Sequence, residues 1–237
     1  MRLADVIHMN YLLLPVLNRF GIFLGFGNKT VDEICADLDI NPGFFLEIVN
    51  TFNDPEYFPK EHLQSFSIKL IADYLRETHK YYLTQLLPGI ESKINSLVQQ
   101  YPMQSAKLTL LQKFFIEYKT ELVSHIEYEE KKVFPYAVEI EQVTLQNKVS
   151  EILTNLSENY SVHSSLEVHD SIEEKLYDLK NILIKYLPGI ENQNLCNAIL
   201  VDLFNLEMDM DNHARIEDKV MEPKVLLLEN EIKGSGK

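Results

Sequence analysis

Apolar residues recur at steps of three and four along much of the chain. The clearest stripe runs Leu111, Phe115, Tyr118, Leu122, His125, Glu129 and Val133; a second runs Ile199, Leu203, Leu206, Met210, His213, Glu217 and Val220. Such steps trace one face of an α-helix. Two further stripes are Ile71, Leu75, His79, Tyr82, Leu86 and Leu166, His169, Ile172, Leu176, Leu179, Leu183, Tyr186. The pattern predicts four long helices. One starts near Ser67, is interrupted at Pro88-Gly89 and resumes with a kink through Leu97. One runs from about Ser105 to Glu141, kinked or ended at Pro135. One carries the Leu166–Tyr186 stripe and closes at Pro188-Gly189. The last runs from about Asn192 to Val220 and stops at Glu222-Pro223. Tyr101-Pro102 makes one loop, and a polar connection lies near residues 155–164. Four long helices with short connections imply an all-α, up-down four-helix bundle over residues 67–228.

A small helical domain precedes the bundle, over residues 1–52. An apolar helix and a turn lead to a break at Gly25, Gly27 and Asn28. Thr30 with Glu33 spells a capping box, and Asn41-Pro42-Gly43 reads as a turn before a second short helix. The segment resembles a helix-turn-helix but is acidic, and a recognition helix needs Arg, Lys or Asn; a packing module is the stronger reading. Residues 53–66, with Pro55 and Pro59, read as a linker. Residues 229–237 read as a polar tail or linker, which raises a continuation into a further domain.

Composition narrows the function classes. The chain has 237 residues, 46% of them hydrophobic, and a formal charge of -14. That charge disfavours binding of nucleic acid or an anionic membrane by this chain. No apolar run is long enough for a transmembrane helix, and the N-terminus lacks the regions of a signal peptide. Cys35 and Cys196, without pair spacing, suit a reducing compartment, so a cytoplasmic location is expected.

The chemistry lies where the stripes turn polar. His125/Glu129 and His213/Glu217 are His-x-x-x-Glu pairs on core-facing positions. A His and a Glu that follow a core stripe inward must be paired, hydrogen-bonded or metal-bound, because burying them bare is costly. His79 and His169 sit on the stripes of the other two helices. Each half of the bundle is thus a helix with one His followed by a helix with His-x-x-x-Glu. Imidazole and carboxylate suit iron, manganese or zinc. Two His per metal and two bridging Glu would satisfy a dinuclear centre, with an oxo or hydroxo bridge and open positions for a diatomic.

One His-x-x-x-Glu pair alone is weak evidence, since an ordinary helical ion pair is the commoner meaning, and His163/Glu167 and His169/Glu173 match as well. The four-helix ensemble is far more specific. His163 lies roughly 240° round the helix from His169, off the stripe, and reads as a surface or capping residue. Glu173, at the stripe's edge, is a reserve ligand. His79 taken alone would as readily be a satisfied core histidine. His8 and His62 read as structural. A ferritin-like site uses Glu-x-x-His, and no histidine here has a Glu three residues before it.

LRETHKYYL, ELVSHIEYEEKKVFP, LEVHD and DNHARIED resemble the His, His-x-x-x-Glu, His, His-x-x-x-Glu series of the hemerythrin-like family, and more closely its di-iron proteins for repair of iron–sulfur centres. The similarity spans about residues 70–222. The resemblance implies a di-iron centre, oxo- or hydroxo-bridged, on His79, His125, Glu129, His169, His213 and Glu217. The fifth His of oxygen-carrying hemerythrins has no counterpart, which makes reversible oxygen carriage a poorer reading. The N-terminal unit resembles the short domain that precedes the bundle in the repair proteins. Where that family has a Cys-Cys pair, this chain has Gly25-Phe26 after Phe20-Gly21-Ile22, and Cys35 reads as a small buried thiol.

The expected function is therefore a non-haem di-iron protein of the nitrosative and oxidative stress response. Its centre would bind or react with nitric oxide, oxygen or peroxide and serve repair of damaged iron–sulfur clusters, with iron–sulfur proteins as partners. The alternative is a di-iron sensory module whose output domain, a DNA-binding one among the options, lies outside this chain. A third reading is a helical interaction or storage protein whose histidines are core residues. No general acid or nucleophile arrangement stands out, which counts against a conventional hydrolase. Enzymatic turnover and oligomeric state are left open, a homo-oligomer included.

Overall fold

The structure, a computed structural model, describes residues 1–146, 163–187 and 189–235. Among them there are helices and turns and no strand; the one isolated β-bridge joins Arg2 and Thr30. The helices are α1 (Leu3–Met9), α2 (Leu14–Arg19), α3 (Val31–Asp37), α4 (Pro42–Asn53), α5 (Lys60–Ser65), α6 (Ile68–Tyr81), α7 (Leu87–Gln100), α8 (Ser105–Tyr128), α9 (Phe134–Gln146), α10 (His163–Asn181), α11 (Gln193–Ile216) and α12 (Glu222–Ser235). Four π-helical turns interrupt the series: π1 (Tyr82–Leu86), π2 (Glu129–Val133), π3 (Ile182–Tyr186) and π4 (Glu217–Met221). The chain divides into two units, Met1–Tyr81 with Arg215–Lys237, and Tyr82–Ala214.

In the first unit, local signals set the helix starts. Thr30 caps α3, and the reciprocal Glu33 bonds of the capping box are both made. The Asn41-Pro42-Gly43 stretch, expected as a turn, is the start of α4. Asn41 accepts from the Phe44 amide, and Pro42 occupies the first turn, where its missing N–H costs nothing. Gly21, Gly25 and Gly27 all adopt positive φ, which only glycine takes without strain, and so make the break before α3. The core of this unit is aromatic. Phe20 packs edge-on to Phe45 at 5.0 Å and stacks on Tyr74 at 5.3 Å; Phe44 contacts Phe20, Phe66 and Tyr74. The buried Arg19 donates to the Tyr74 hydroxyl at 3.4 Å and lies over the Tyr81 ring. Residues 53–66 carry α5. They are held by Arg215, which bonds the Pro55 carbonyl at 3.1 Å and stacks over Phe58.

The second unit is built on the predicted stripes. Leu111, Phe115, Tyr118 and Leu122 of α8 are buried, as are Ile172, Leu176 and Leu179 of α10 and Ile199, Leu203 and Leu206 of α11. Ile90, Ile94 and Leu97 of α7 join them, and α8 packs beside both α7 and α10. Polar pairs tie the outer edges: Lys119 to Glu91 at 2.6 Å, Gln112 to Asn95 at 2.7 Å, and Lys93 to Asp202. The Tyr118 hydroxyl is buried and donates to the Met210 sulfur at 3.1 Å, and burial pushes its pKa well above the usual phenol range.

Two helix ends differ from the sequence reading. The pattern along the chain stops the last bundle helix at Glu222-Pro223. In the structure α11 passes into π4 and then α12, which continues to Ser235 and so takes in residues 229–235 of the expected tail. Likewise α9 carries the second bundle helix through Pro135, one of the two outcomes expected there, and on to Gln146 rather than to about Glu141. The reason is the same at both prolines. Pro135 and Pro223 are each the second residue of a new α-helical segment, where a proline is tolerated. Of the polar connection near residues 155–164, all but its last two residues lie outside the described residues.

Candidate metal centre

His79 lies on the buried face of α6, in line with Ile71 and Leu75. Glu129 is the first residue of π2, His213 lies near the end of α11, and Glu217 is the first residue of π4. One donor atom from each of these four side chains lies within 4.8 Å of the others, and all four side chains are buried. Glu129 is 1% exposed and Glu217 2%. Two carboxylates held this close and this dry repel one another, and each carries a large desolvation cost unless cationic charge meets it. The donor set, two imidazoles and two carboxylates, is the kind that divalent first-row cations and zinc accept. On both counts the residues fit a metal ion.

His125 is placed beside this cluster. Its Nε2 lies 2.8 Å from Glu129 Oε1, and its side chain is 9% exposed. His169 is on α10, and its side chain lies outside the described residues, as does that of His163. Glu173, the reserve ligand, is exposed. His8 is exposed; His62 is exposed and pairs with Glu47, which also accepts from the Tyr57 hydroxyl at 2.6 Å. Of the six sequence-predicted ligands, four are thus brought together in one cluster and a fifth is in contact with a member of it.

Tyr82 has a place that the sequence reading does not give it. By pattern it is only a stripe residue, yet it is 1% exposed and its ring centroid lies 6.1 Å from that of His213. Its position three residues after His79, on the same helical face, is the signal available in the sequence.

The model for the hemerythrin HHE cation-binding domain matches residues 70–225. The chain belongs to the hemerythrin HHE cation-binding family. No curated protein and no solved structure matches it. The match covers both His-x-x-x-Glu pairs as well as His79 and His169. The chain is accordingly an all-α, hemerythrin-like helical bundle and a metal-binding protein. Among the described residues, no helix is long and apolar enough to cross a membrane.

Proposed function

We propose that this hemerythrin-like protein holds two iron ions and that its centre binds or reacts with nitric oxide, oxygen or peroxide in stress-linked repair of iron–sulfur clusters. The observation that carries the reading is the buried cluster of His79, Glu129, His213 and Glu217. Glu129 and Glu217 would bridge the two ions. His79, His125, His169 and His213 would supply the imidazole nitrogens that help hold them. Iron in this setting supplies redox change and open positions for a small diatomic. The chain's own part is to supply neutral imidazole nitrogens, to offset cationic charge with two carboxylates, and to keep the donors out of water. In domain terms, residues 67–228 would form the iron-binding bundle and residues 1–52 an accessory helical domain.

One observation favours a second reading, a di-iron sensory module. Gly25-Phe26 stands where the repair proteins carry their Cys-Cys pair. Iron transfer through a soft thiolate at that turn is therefore closed to this chain. Both readings share the iron centre and differ in the use made of it.

The test is metal content with an absorption spectrum, on protein reconstituted anaerobically with ferrous iron and then exposed to air. Two irons per chain with near-ultraviolet oxo-to-iron bands are expected. No bound iron, or a single metal insensitive to His213→Ala, would sink the proposal. Restoration of a nitric-oxide-damaged iron–sulfur enzyme by the loaded protein separates repair from sensing.

A further inference from the structure

Each π-helical turn stands in a fixed relation to a proline in the sequence. π1 ends two residues before Pro88, π2 before Pro135, π3 before Pro188 and π4 before Pro223. A proline inside a helix has no N–H to give, and its ring collides with the carbonyl four residues back. A wider turn before it relieves both problems. π-Helical turns are rare, and they concentrate at functional sites.

Two of the four turns begin at a clustered donor, Glu129 and Glu217, and a third begins at Tyr82, whose ring lies against that of His213. For both carboxylates the link is a single backbone bond. The Phe134 amide, next to Pro135, donates to the Glu129 carbonyl; the Glu222 amide, next to Pro223, donates to the Glu217 carbonyl. A regular α-helix would close each carbonyl one residue earlier. The carbonyl that Pro223 cannot serve is that of Lys219, and it accepts instead from the Gln64 side chain at 3.3 Å. The direction of a side chain is set by the backbone at its own Cα. The wide turn therefore acts on the Glu129 and Glu217 carboxylates themselves.

We infer that Pro135 and Pro223 are positioning residues of the metal centre: each forces the π turn that aims the carboxylate six residues before it. The inference rests on the reading of Glu129 and Glu217 as metal ligands. Alanine at either position supplies an N–H that can bond the carbonyl of Lys131 or Lys219, which favours closure of the turn as α-helix.

The experiment measures ferrous affinity by chelator competition and the apo melting temperature by circular dichroism, on the full chain and on Pro135→Ala, Pro223→Ala and Ile199→Ala. Ile199 is a fully buried core residue of α11 outside the cluster, and its variant reports what lost stability alone does. Each proline variant is expected to bind iron about tenfold more weakly, the scale on which supporting residues act on a metal. Ile199→Ala is expected to melt lower with unchanged affinity. Wild-type affinity in both proline variants overturns the inference while leaving the metal centre standing. So does affinity that simply tracks melting temperature across all three variants. A wild-type chain that takes up no iron overturns the metal reading and this inference together.

Discussion

The two His-x-x-x-Glu copies are spelled alike and placed differently. Both sit at the end of a long α-helix, both glutamates open a π turn, and a proline follows each glutamate by six residues. Both glutamates are buried in the four-donor cluster. The histidines part company. His213 is in the cluster and packs against Tyr82, whereas His125 is not among the four clustered donors and lies against Glu129 at 2.8 Å. The carboxylates are what the copies share, and the imidazoles are what distinguish them. Equal motifs thus make unequal contributions, because a helix fixes which neighbours a side chain meets and the motif fixes only its spacing.

The strongest way to break this comparison is to remove ligands one at a time. Glu129→Ala and Glu217→Ala each take away a carboxylate proposed to serve both ions, and iron content should fall from two per chain to none. His213→Ala should lower affinity by at least about a hundredfold, beyond what a supporting residue costs. His125→Ala leaves all four clustered donors in place, so one iron should remain. Metal analysis after anaerobic reconstitution reads all four variants. If His125→Ala and His213→Ala lose iron equally, the copies are equivalent and the asymmetry has no consequence.

A smaller effect, of opposite sign, is expected in the metal-free protein. The clustered donor atoms bring an oxygen of Glu129 and one of Glu217 within 4.8 Å, both buried. Like charges so placed oppose folding, and neutralising one of them relieves that repulsion. Glu129→Gln and Glu217→Gln should each stabilise the apo chain by about 1 kcal/mol, which for a chain of this size raises the melting temperature by about 2–4 °C. The same variants should lose iron. Thermal unfolding with chelator present decides the point, and a lower melting temperature in both would show that the carboxylates are already compensated without metal.

Much of this is legible in the sequence. The stripes that carry Glu129 and Glu217 are buried along nearly their whole length, because a sustained three-and-four period has one geometric meaning. The capping box at Thr30 is local chemistry and is equally readable. The π turns are not. They are a response of the whole helix to a proline, and a rule that treats proline as a stop gives the wrong end at Glu222-Pro223. The pentapeptide Leu-Pro-Gly-Ile-Glu makes the same point, since it occurs at 87–91 and again at 187–191. In the first copy it opens α7 and Gly89 is helical. In the second, Leu187 is extended and Gly189 adopts φ 67°. Identical local preferences are resolved by context. Before the second copy, α10 and π3 have already run their length, and after it the Asn192 amide is held by the Tyr101 hydroxyl.

The smallest expected effect concerns sulfur, and it sharpens the comparison by showing that only nitrogen and oxygen ligands are at issue. A thiol binds iron and reacts with electrophiles as the thiolate. Burial pushes the pKa of both Cys35 and Cys196 above the usual thiol value, so less thiolate is present near neutral pH than on a free cysteine. Cys35 is 2% exposed within the N-terminal helices, and Cys196 is only partly covered, near the start of α11. Neither belongs to the clustered donors. Native protein should therefore react with a chromogenic disulfide reagent more slowly than unfolded protein, with Cys196 ahead of Cys35. Raising the pH should speed both, because the reactive form is the deprotonated one. The double variant Cys35→Ser/Cys196→Ser should keep its iron content and the near-ultraviolet bands unchanged. Iron lost in that variant would place a thiolate in the centre and make the difference between His125 and His213 secondary to it.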